Sequence, residues 1–494
     1  MAEVVYPDTS GWDTVFAMTL PVANLALKKV PPSPLYTKVM PLSNQATGTL
    51  TWSLAAWSIV DAPGGSEMSV SMAFGATWKF VQEGGILPGT SALDVPGFAC
   101  DVTFEAYFPE LSNKLTARTA NGSSWAKVTF KHPPGFNASK ALIIETILSD
   151  WFKNDPEAIE LFSNEFMSLD MSDAIGQDHL KWLKPDQLGY AGGTMADGVT
   201  KAIGIPALTV VGDGSQRRTI PPGARLQLSP YAIPSGASAG FQMSRELVMT
   251  NLFTPAVATA FSNDVDPDLT HFTLSEDGST LTNNVALSYK QPVEGVDRIC
   301  TIDNGKLSAR LGGNRLVISV SPLTVETSLA GLLVDAQIVE NLELSLVPIP
   351  GKTDAKILML ENVDAQDPVM SHHYTGTSVI SMAVIGALIA IVGLVLMVVS
   401  FKGPLARRLT TISAKIISRV IAAAVAGAGL LIGTILVIIQ AAVPENVDEL
   451  PSIDPLLNAA IGRFDWPAGA TVRFAATSGS FANGILMAVE PKFD

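Results

Sequence analysis

Charge and cysteine are both scarce in this 494-residue chain. Charged side chains make up 16% of it, against roughly 25% in an ordinary soluble protein. The only cysteines are Cys100 and Cys300. They form no CxxC and are too few for a disulfide framework, so both are expected as buried free thiols in a chain made in the cytosol. The opening residues, Met-Ala-Glu-Val-Val-Tyr-Pro-Asp, have no basic n-region and no apolar h-region, so no Sec signal is expected. P-loop, GxGxxG and HExxH patterns are missing, as is any repeat of fixed short period. The charge that is present leans acidic, with 46 acidic against 32 basic side chains and a net −14. An acidic chain repels phosphates, so a nucleic-acid partner is not expected. A mean hydropathy of +0.31 excludes acidic disorder, which needs low hydropathy. The length allows about two to four domains.

Most of that hydropathy is local. Residues 374–443 contain no Asp or Glu and five cations, Lys402, Arg407, Arg408, Lys415 and Arg419. They carry roughly three quarters of the chain's hydropathic excess, and the rest of the chain is left with a net charge of −19. Tyr374 to Phe401 and Val420 to Pro444 are free of charge, and each exceeds the roughly 20 residues needed to cross a hydrocarbon core. Gly386, Gly393, Gly429 and Gly433 lie within these runs, the last two at GxxxG spacing that lets helices pack closely. The turn at Gly403-Pro404 is cationic and both outer flanks are acidic. A helical hairpin with a basic tip against an anionic membrane fits this pattern. A hairpin buried in protein fits it as well, because a helix apolar on all sides is either core or membrane-embedded.

Elsewhere the pattern is mostly that of strands. Met68 to Phe80 alternates apolar and polar positions, as do Val102, Phe104, Ala106 and Phe108 with their neighbours. Gly11 to Lys29 has helix-like spacing through Trp12, Val15 and Phe16, broken by Pro21. Ala138 to Lys153 switches to a 3.6-residue period, with Asn137 as N-cap and an apolar face of Leu142, Ile143, Ile147, Leu148, Trp151 and Phe152. Pro156 opens a second helix through Phe162 and Phe166. Asp213-Gly214, Asp277-Gly278 and Asn304-Gly305 read as hairpin turns. Leu316 to Val320, Leu342 to Val347, Ile357 to Leu360 and Ala470 to Glu490 read as strands. Strands and helices do not alternate, which disfavours a doubly wound fold.

Catalytic constellations are weak. Gly236 to Gly240 matches the GxSxG nucleophile elbow, with an apparent helix from Phe241 to Leu252, but Pro234 breaks the strand that must precede Ser238. Asp264, Asp266 and Asp268 start like a calcium loop that lacks its Gly and its terminal Glu. His372-His373 has no ligand partners at metal-site spacing. A solvated acidic loop and a Gly-rich turn explain the first two, and neither an enzyme, a cofactor nor a metal is expected.

Five segments, in order along the chain, carry a resemblance. They are Gly11 to Ala17 (GWDTVFA) with Val22 and Asn24; Trp57 to Val60 followed by Gly64-Gly65-Ser66; Trp182 to Pro185 with Gly189-Tyr190-Ala191; Ile233 to Gly236 with Phe241, Ser244, Glu246 and Leu247; and Phe464 to Pro467. Together they resemble the clostridial P47 family, accessory proteins found beside botulinum-type neurotoxin genes and related to the OrfX proteins. The resemblance implies an α+β fold of the TULIP (tubular lipid-binding) type, with strongly curved antiparallel sheets wrapped around long helices. Residues 1–373 and 444–494 would form that body, in one tubular module or two, with 374–443 as the inserted hairpin.

A gap between such a sheet and its helices is a groove for acyl chains. Trp12, Val15, Phe16, Ile143, Ile147, Trp151 and Phe152 are its candidate lining, with plain core packing the alternative for each. The expected function is non-enzymatic binding of lipid or anionic membrane, as an accessory to a toxin or secreted-factor complex. Its partners would be paralogous family proteins or a large toxin, and it would end up membrane-associated or released with the complex. Two alternatives stand beside it: an interaction protein whose hairpin packs on partner subunits, and a lipid esterase using Ser238.

Overall fold

The computed structural model describes residues 6–27, 35–43, 46–82, 89–94, 98–110, 112–119, 125–163, 167–171, 178–211, 218–262, 268–293, 296–326, 333–348, 356–362, 369–370, 454–466 and 470–493. Among them, sixteen strands form one sheet and nine a second, and every strand pair is antiparallel. The first sheet runs from Pro185–Leu188 through Lys201–Thr209, Thr14–Thr19 and Ala239–Ser244 to Gly484–Phe493. It continues through Ala470–Phe481, Arg463–Trp466, Met167–Asp170 and Lys114–Ala117 to Phe98–Tyr107, Glu67–Gln82, Ala46–Gly64 and Tyr36–Ser43. The chain's last strands therefore return to the sheet that holds its first.

This sheet curls back on itself into a half-barrel. The 19-residue strand Ala46–Gly64 loses register against Glu67–Gln82 three times, at Leu54/Ala56, Ile59/Asp61 and Asp61/Gly64. Such bulges bend a strand and increase its twist. The bend carries the hairpin tip at Gly64-Gly65 to the strand Ala191–Thr194, which pairs with Lys201–Thr209 at the other end of the order. Contact is a single antiparallel bridge, in which Gly192 N–H donates to the Gly65 carbonyl at 2.9 Å. A Cβ on Gly192 would lie 2.9 Å from backbone atoms of Ala62, so only glycine allows this approach. Asn24, on the helix Leu20–Leu27, fastens the same bend from inside. Its amide donates to the Ile59 carbonyl at 2.9 Å and accepts from Ile59 N–H at 2.7 Å.

The hollow of the sheet is filled by aromatic side chains. The helix Ala138–Asn154 is capped by Asn137, whose side chain accepts from Lys140 N–H, as expected from sequence. It buries Ala141, Ile144, Ile147, Leu148, Trp151 and Phe152. Trp151 meets Trp52 edge-on at 5.3 Å and Tyr36 at 4.9 Å. Phe162, on the helix Pro156–Ser163, packs against Trp125 at 5.2 Å and Phe104 at 5.4 Å. Each fully buried ring is worth about 1.5–3 kcal/mol or more. The second sheet, residues 272–370, leans on the first through Lys356, which donates to the Thr477 carbonyl at 2.9 Å. At its other end Gly313 and Asn483 exchange hydrogen bonds of 3.0 and 2.9 Å.

Several sequence expectations are corrected. Trp12, Val15 and Phe16 are not helical: Thr14–Thr19 is a strand, and the helix begins only at Leu20. That strand is buried on both faces, so it reads as a continuous apolar run without a period of two. Leu142 is 65% exposed, because the helix turns Ile144 rather than Leu142 inward. The second helix ends at Ser163, and Phe166 lies outside the described residues, as does Asp213-Gly214. Asp277-Gly278 does join a hairpin, Phe272–Leu274 with Thr280–Asn283. Asn304-Gly305 is a turn but not a hairpin: the strands it connects both pair with Arg315–Glu326 and not with each other. Phe241 to Leu252 is a strand to Ser244 before it becomes helical. The long described helix is Ala138–Asn154, of 17 residues; Arg245–Val248, the π-helical turn Met249–Phe253 and Thr254–Ala260 run on without a break as a second helical stretch, and the remaining described helices have eight residues or fewer.

Removing the clasp has a measurable cost. Asn24→Ala deletes both bonds to Ile59 and should lower unfolding stability by about 1–3 kcal/mol in urea titration. Gly192→Val should cost about as much by forcing the bridge apart. Unchanged midpoints for both variants would mean that the curl holds without this seam.

Candidate functional site

The expected groove residues are buried, but on two sides of one strand. Phe16 and Met18 face the main core, where Phe16 lies 4.6 Å from Phe474 and 4.9 Å from Phe464. Trp12 and Val15 face a separate small core with Ala17, Leu208, Leu228 and Ile233. Ile147, Trp151 and Phe152 belong to the main core, with Ile143 half-buried at its edge. The structure therefore does not bring these seven residues onto one surface.

Ser238 is half-buried, and its carbonyl accepts from Thr19 N–H at 3.0 Å. The GxSxG segment leads into the strand Ala239–Ser244 instead of following one, the reverse of an elbow. Asp268 caps a short turn, and the Thr270 hydroxyl and N–H hold its carboxyl below the usual range. Asp264 and Asp266 lie outside the described residues. So do His372-His373, the cations Lys402, Arg407, Arg408, Lys415 and Arg419, and the glycines Gly386, Gly393, Gly429 and Gly433. Among the described residues, no His, Cys, Asp or Glu cluster is placed to hold a metal, and no helix is long and apolar enough to cross a membrane. Cys100 and Cys300 are buried and unbridged, and burial pushes the Cys300 thiol up to about 12.

The site that emerges lies elsewhere. A cavity of about 580 Å³ opens where the curl brings the edge strand Pro185–Leu188 opposite the ends of Lys114–Ala117 and Met167–Asp170. Its walls are Phe108, Pro109, Leu169, Met171, Leu188, Val210 and Ile220, and its polar groups are Glu110, Ser112, Asn113, Lys184, Asp186 and Gln187. Ile220 is 48% exposed, and Val211, next to the wall residue Val210, is 60% exposed, so the mouth has an apolar flank.

Local chemistry fixes these walls. Lys184 N–H closes the 3₁₀ turn Asp178–Leu183 onto the Lys181 carbonyl, and the Lys184 carbonyl accepts from Val210 N–H at 2.9 Å. Pro185, with no N–H to offer, opens the edge strand, where none is required. Asp186 accepts from Arg218 N–H at 2.8 Å, and the Gln187 amide donates to the Arg218 carbonyl. The Arg218 guanidinium pairs with Asp13, which also accepts from Thr209 N–H at 2.7 Å and its hydroxyl at 2.9 Å. Opposite, the Asn113 amide donates to the Leu169 carbonyl.

Sequence reasoning missed this cavity because its lining comes from strand ends that share no motif. One signal touched it: the segment Trp182 to Pro185, which carries Lys184 and Pro185.

A half-barrel of antiparallel sheet, closed at one seam and holding a cavity lined by apolar and polar groups, defines the class of protein. Within that class, the family model described as Protein OrfX2/OrfX3/P47 matches residues 9–487, and the chain belongs to the OrfX-like family. Protein OrfX3 of Clostridium botulinum (strain Kyoto / Type A2) is 22% identical over 301 residues. That alignment spans 55% of this chain and 59% of the relative. P47 of Clostridium botulinum E1 is similar in structure at a TM-score of 0.56 with 13% identity, covering 97% of this chain and 98% of that one. P47 of Clostridium botulinum A2 gives 0.54 at 17% identity, over 78% and 88%. At such identities these structures establish the fold alone.

One buried acid gives the fold a pH dependence. Glu340 sits on the strand Leu333–Pro348 between Ile338 and Leu342, at 5% exposure, and burial pushes its carboxyl up to about 7. The native state then holds a proton that the unfolded chain releases from about pH 4.5, so this group's contribution to stability is lost as pH rises from there through about 7. Glu340→Gln should therefore raise the melting temperature by about 2–5 °C at pH 8 and change it little at pH 4.5. An equal difference at both pH values would contradict the burial argument.

Proposed function

We propose that this chain is a lipid- and membrane-binding protein of the TULIP type that acts without catalysis, as an accessory to a toxin or secreted-factor complex. The observation that carries the reading is a curled sheet with a cavity of about 580 Å³, lined on one part by Phe108, Leu169, Met171, Leu188 and Val210 and on the other by polar groups, open beside exposed Ile220. A site of that size and lining suits an acyl chain. The sequence adds a second element, the two charge-free runs of residues 374–444 joined by a cationic turn. Attraction to anionic head groups is worth about 1 kcal/mol per Lys or Arg near a membrane surface, and the strongly acidic remainder of the chain cannot supply it. In this reading the protein's partners are anionic membrane, paralogous family members or a large toxin.

Vesicle flotation at low salt tests this. The full chain should float with phosphatidylcholine vesicles that contain phosphatidylglycerol and much less with phosphatidylcholine alone. Arg407→Glu/Arg408→Glu should weaken that binding at least tenfold. Retention in the soluble fraction under every condition, unchanged by the double variant, would overturn the reading in favour of a hairpin that packs on a partner subunit.

A further inference from the structure

The cavity's polar groups differ in whether they have capacity to spare. Asp186 accepts from Arg218 N–H, and the amides of Gln187 and Asn113 each give one N–H to the carbonyls of Arg218 and Leu169, so all three are anchored to backbone. Glu110 is engaged in a contact of its own. Among the described residues, Lys184 alone of the charged lining groups has neither a hydrogen bond nor an ion pair at its side chain, while both its backbone groups are tied down. The result is a lysine anchored by its backbone, with an exposed and uncommitted side chain, on the lining of a cavity that is part apolar and part polar.

Charge complementarity then narrows the occupant. An unpaired cation over walls of Phe108, Leu169, Met171, Leu188, Val210 and Ile220 calls for an anionic head on an apolar tail. Two carboxylates, Glu110 and Asp186, stand on the same lining. A doubly charged phosphate would face one cation and two anions there, whereas a singly charged carboxylate pairs with Lys184 at less repulsion. The volume of about 580 Å³ suits a single-chain amphiphile.

We propose that this cavity binds a long-chain fatty acid, its carboxylate on Lys184 Nζ and its chain along Phe108, Leu169, Met171 and Leu188. The assignment rests on the lipid-binding reading above and narrows it to one ligand class and one place.

The test uses delipidated full-length protein titrated with cis-parinaric acid, with palmitate and hexadecanol as competitors. Palmitate should displace the probe in the wild type. Lys184→Met should weaken palmitate at least tenfold and leave hexadecanol within twofold, and Lys184→Arg should restore palmitate binding. Leu188→Trp, which fills the chamber, should weaken both competitors. Lys184 is exposed, so its variants should keep the wild-type melting curve, which is measured alongside. Palmitate affinity within twofold of wild type in Lys184→Met, or both competitors unaffected in Leu188→Trp, overturns the proposal. Flotation of the same preparations separates the two levels. Vesicle binding without a Lys184-dependent fatty acid site sinks this assignment and leaves the lipid reading standing. Loss of both sinks both.

Discussion

The seam between Gly65 and Gly192 is the contact on which the rest of the molecule depends. A sheet of sixteen strands has no reason to close unless something fastens its ends. Here the fastening is small: one backbone bridge that only glycine permits, and one asparagine that lends a strand a substitute neighbour. Three bulges in the strand Ala46–Gly64 supply the bend, and the seam keeps it. Its energetic worth is a few hydrogen bonds. Its geometric consequence is the hollow in which Trp52 meets Trp151, and Trp151 is linked through Phe152 to Phe162.

The cavity is a second consequence of the same curl. Its far wall, Pro185–Leu188, is an edge strand, and edge strands are held on one side only. The other side is managed by Asp186 and Gln187 on the Arg218 backbone, and by Arg218 on Asp13, which sits one residue before the central strand Thr14–Thr19. Asp13 also receives Thr209 and, through its carbonyl, Ser244 N–H at 2.7 Å. Through its carboxylate and its carbonyl, this one residue ties three strands and a loop together behind the site. The segments that resemble the family in sequence lie at these joints: Asp13 and Asn24, Gly64-Gly65, Gly189-Tyr190-Ala191 and Ser244. Asp13, Asn24, Gly65, Gly189 and Ser244 each make a hydrogen bond that joins strands or holds the bend.

Much of the architecture was legible where one face of an element is wet. Met68 to Phe74 and Val102 to Phe108 alternate because their outer faces meet solvent, and both are strands. The helix from Ala138, with its Asn137 cap, is amphipathic and was equally plain. Legibility failed where that asymmetry vanishes. Thr14–Thr19 is buried on both faces and imitates a helix, and Phe241 is hidden in the same way beside it. Leu142 misled because an exposed leucine looks like any other in a pattern. The site was least legible of all. Phe108, Leu169, Lys184 and Ile220 are brought together by the curl alone, and no local spacing records a tertiary closure.

The central claim is that the curl exists to hold an acyl chain. Mass spectrometry of organic extracts from the purified full-length protein tests it most directly. The account predicts single-chain fatty acids at close to one per chain, well above an unrelated protein purified from the same cells. Extracts with no acyl species above that control, from protein whose near-ultraviolet dichroism shows an intact aromatic core, would contradict it.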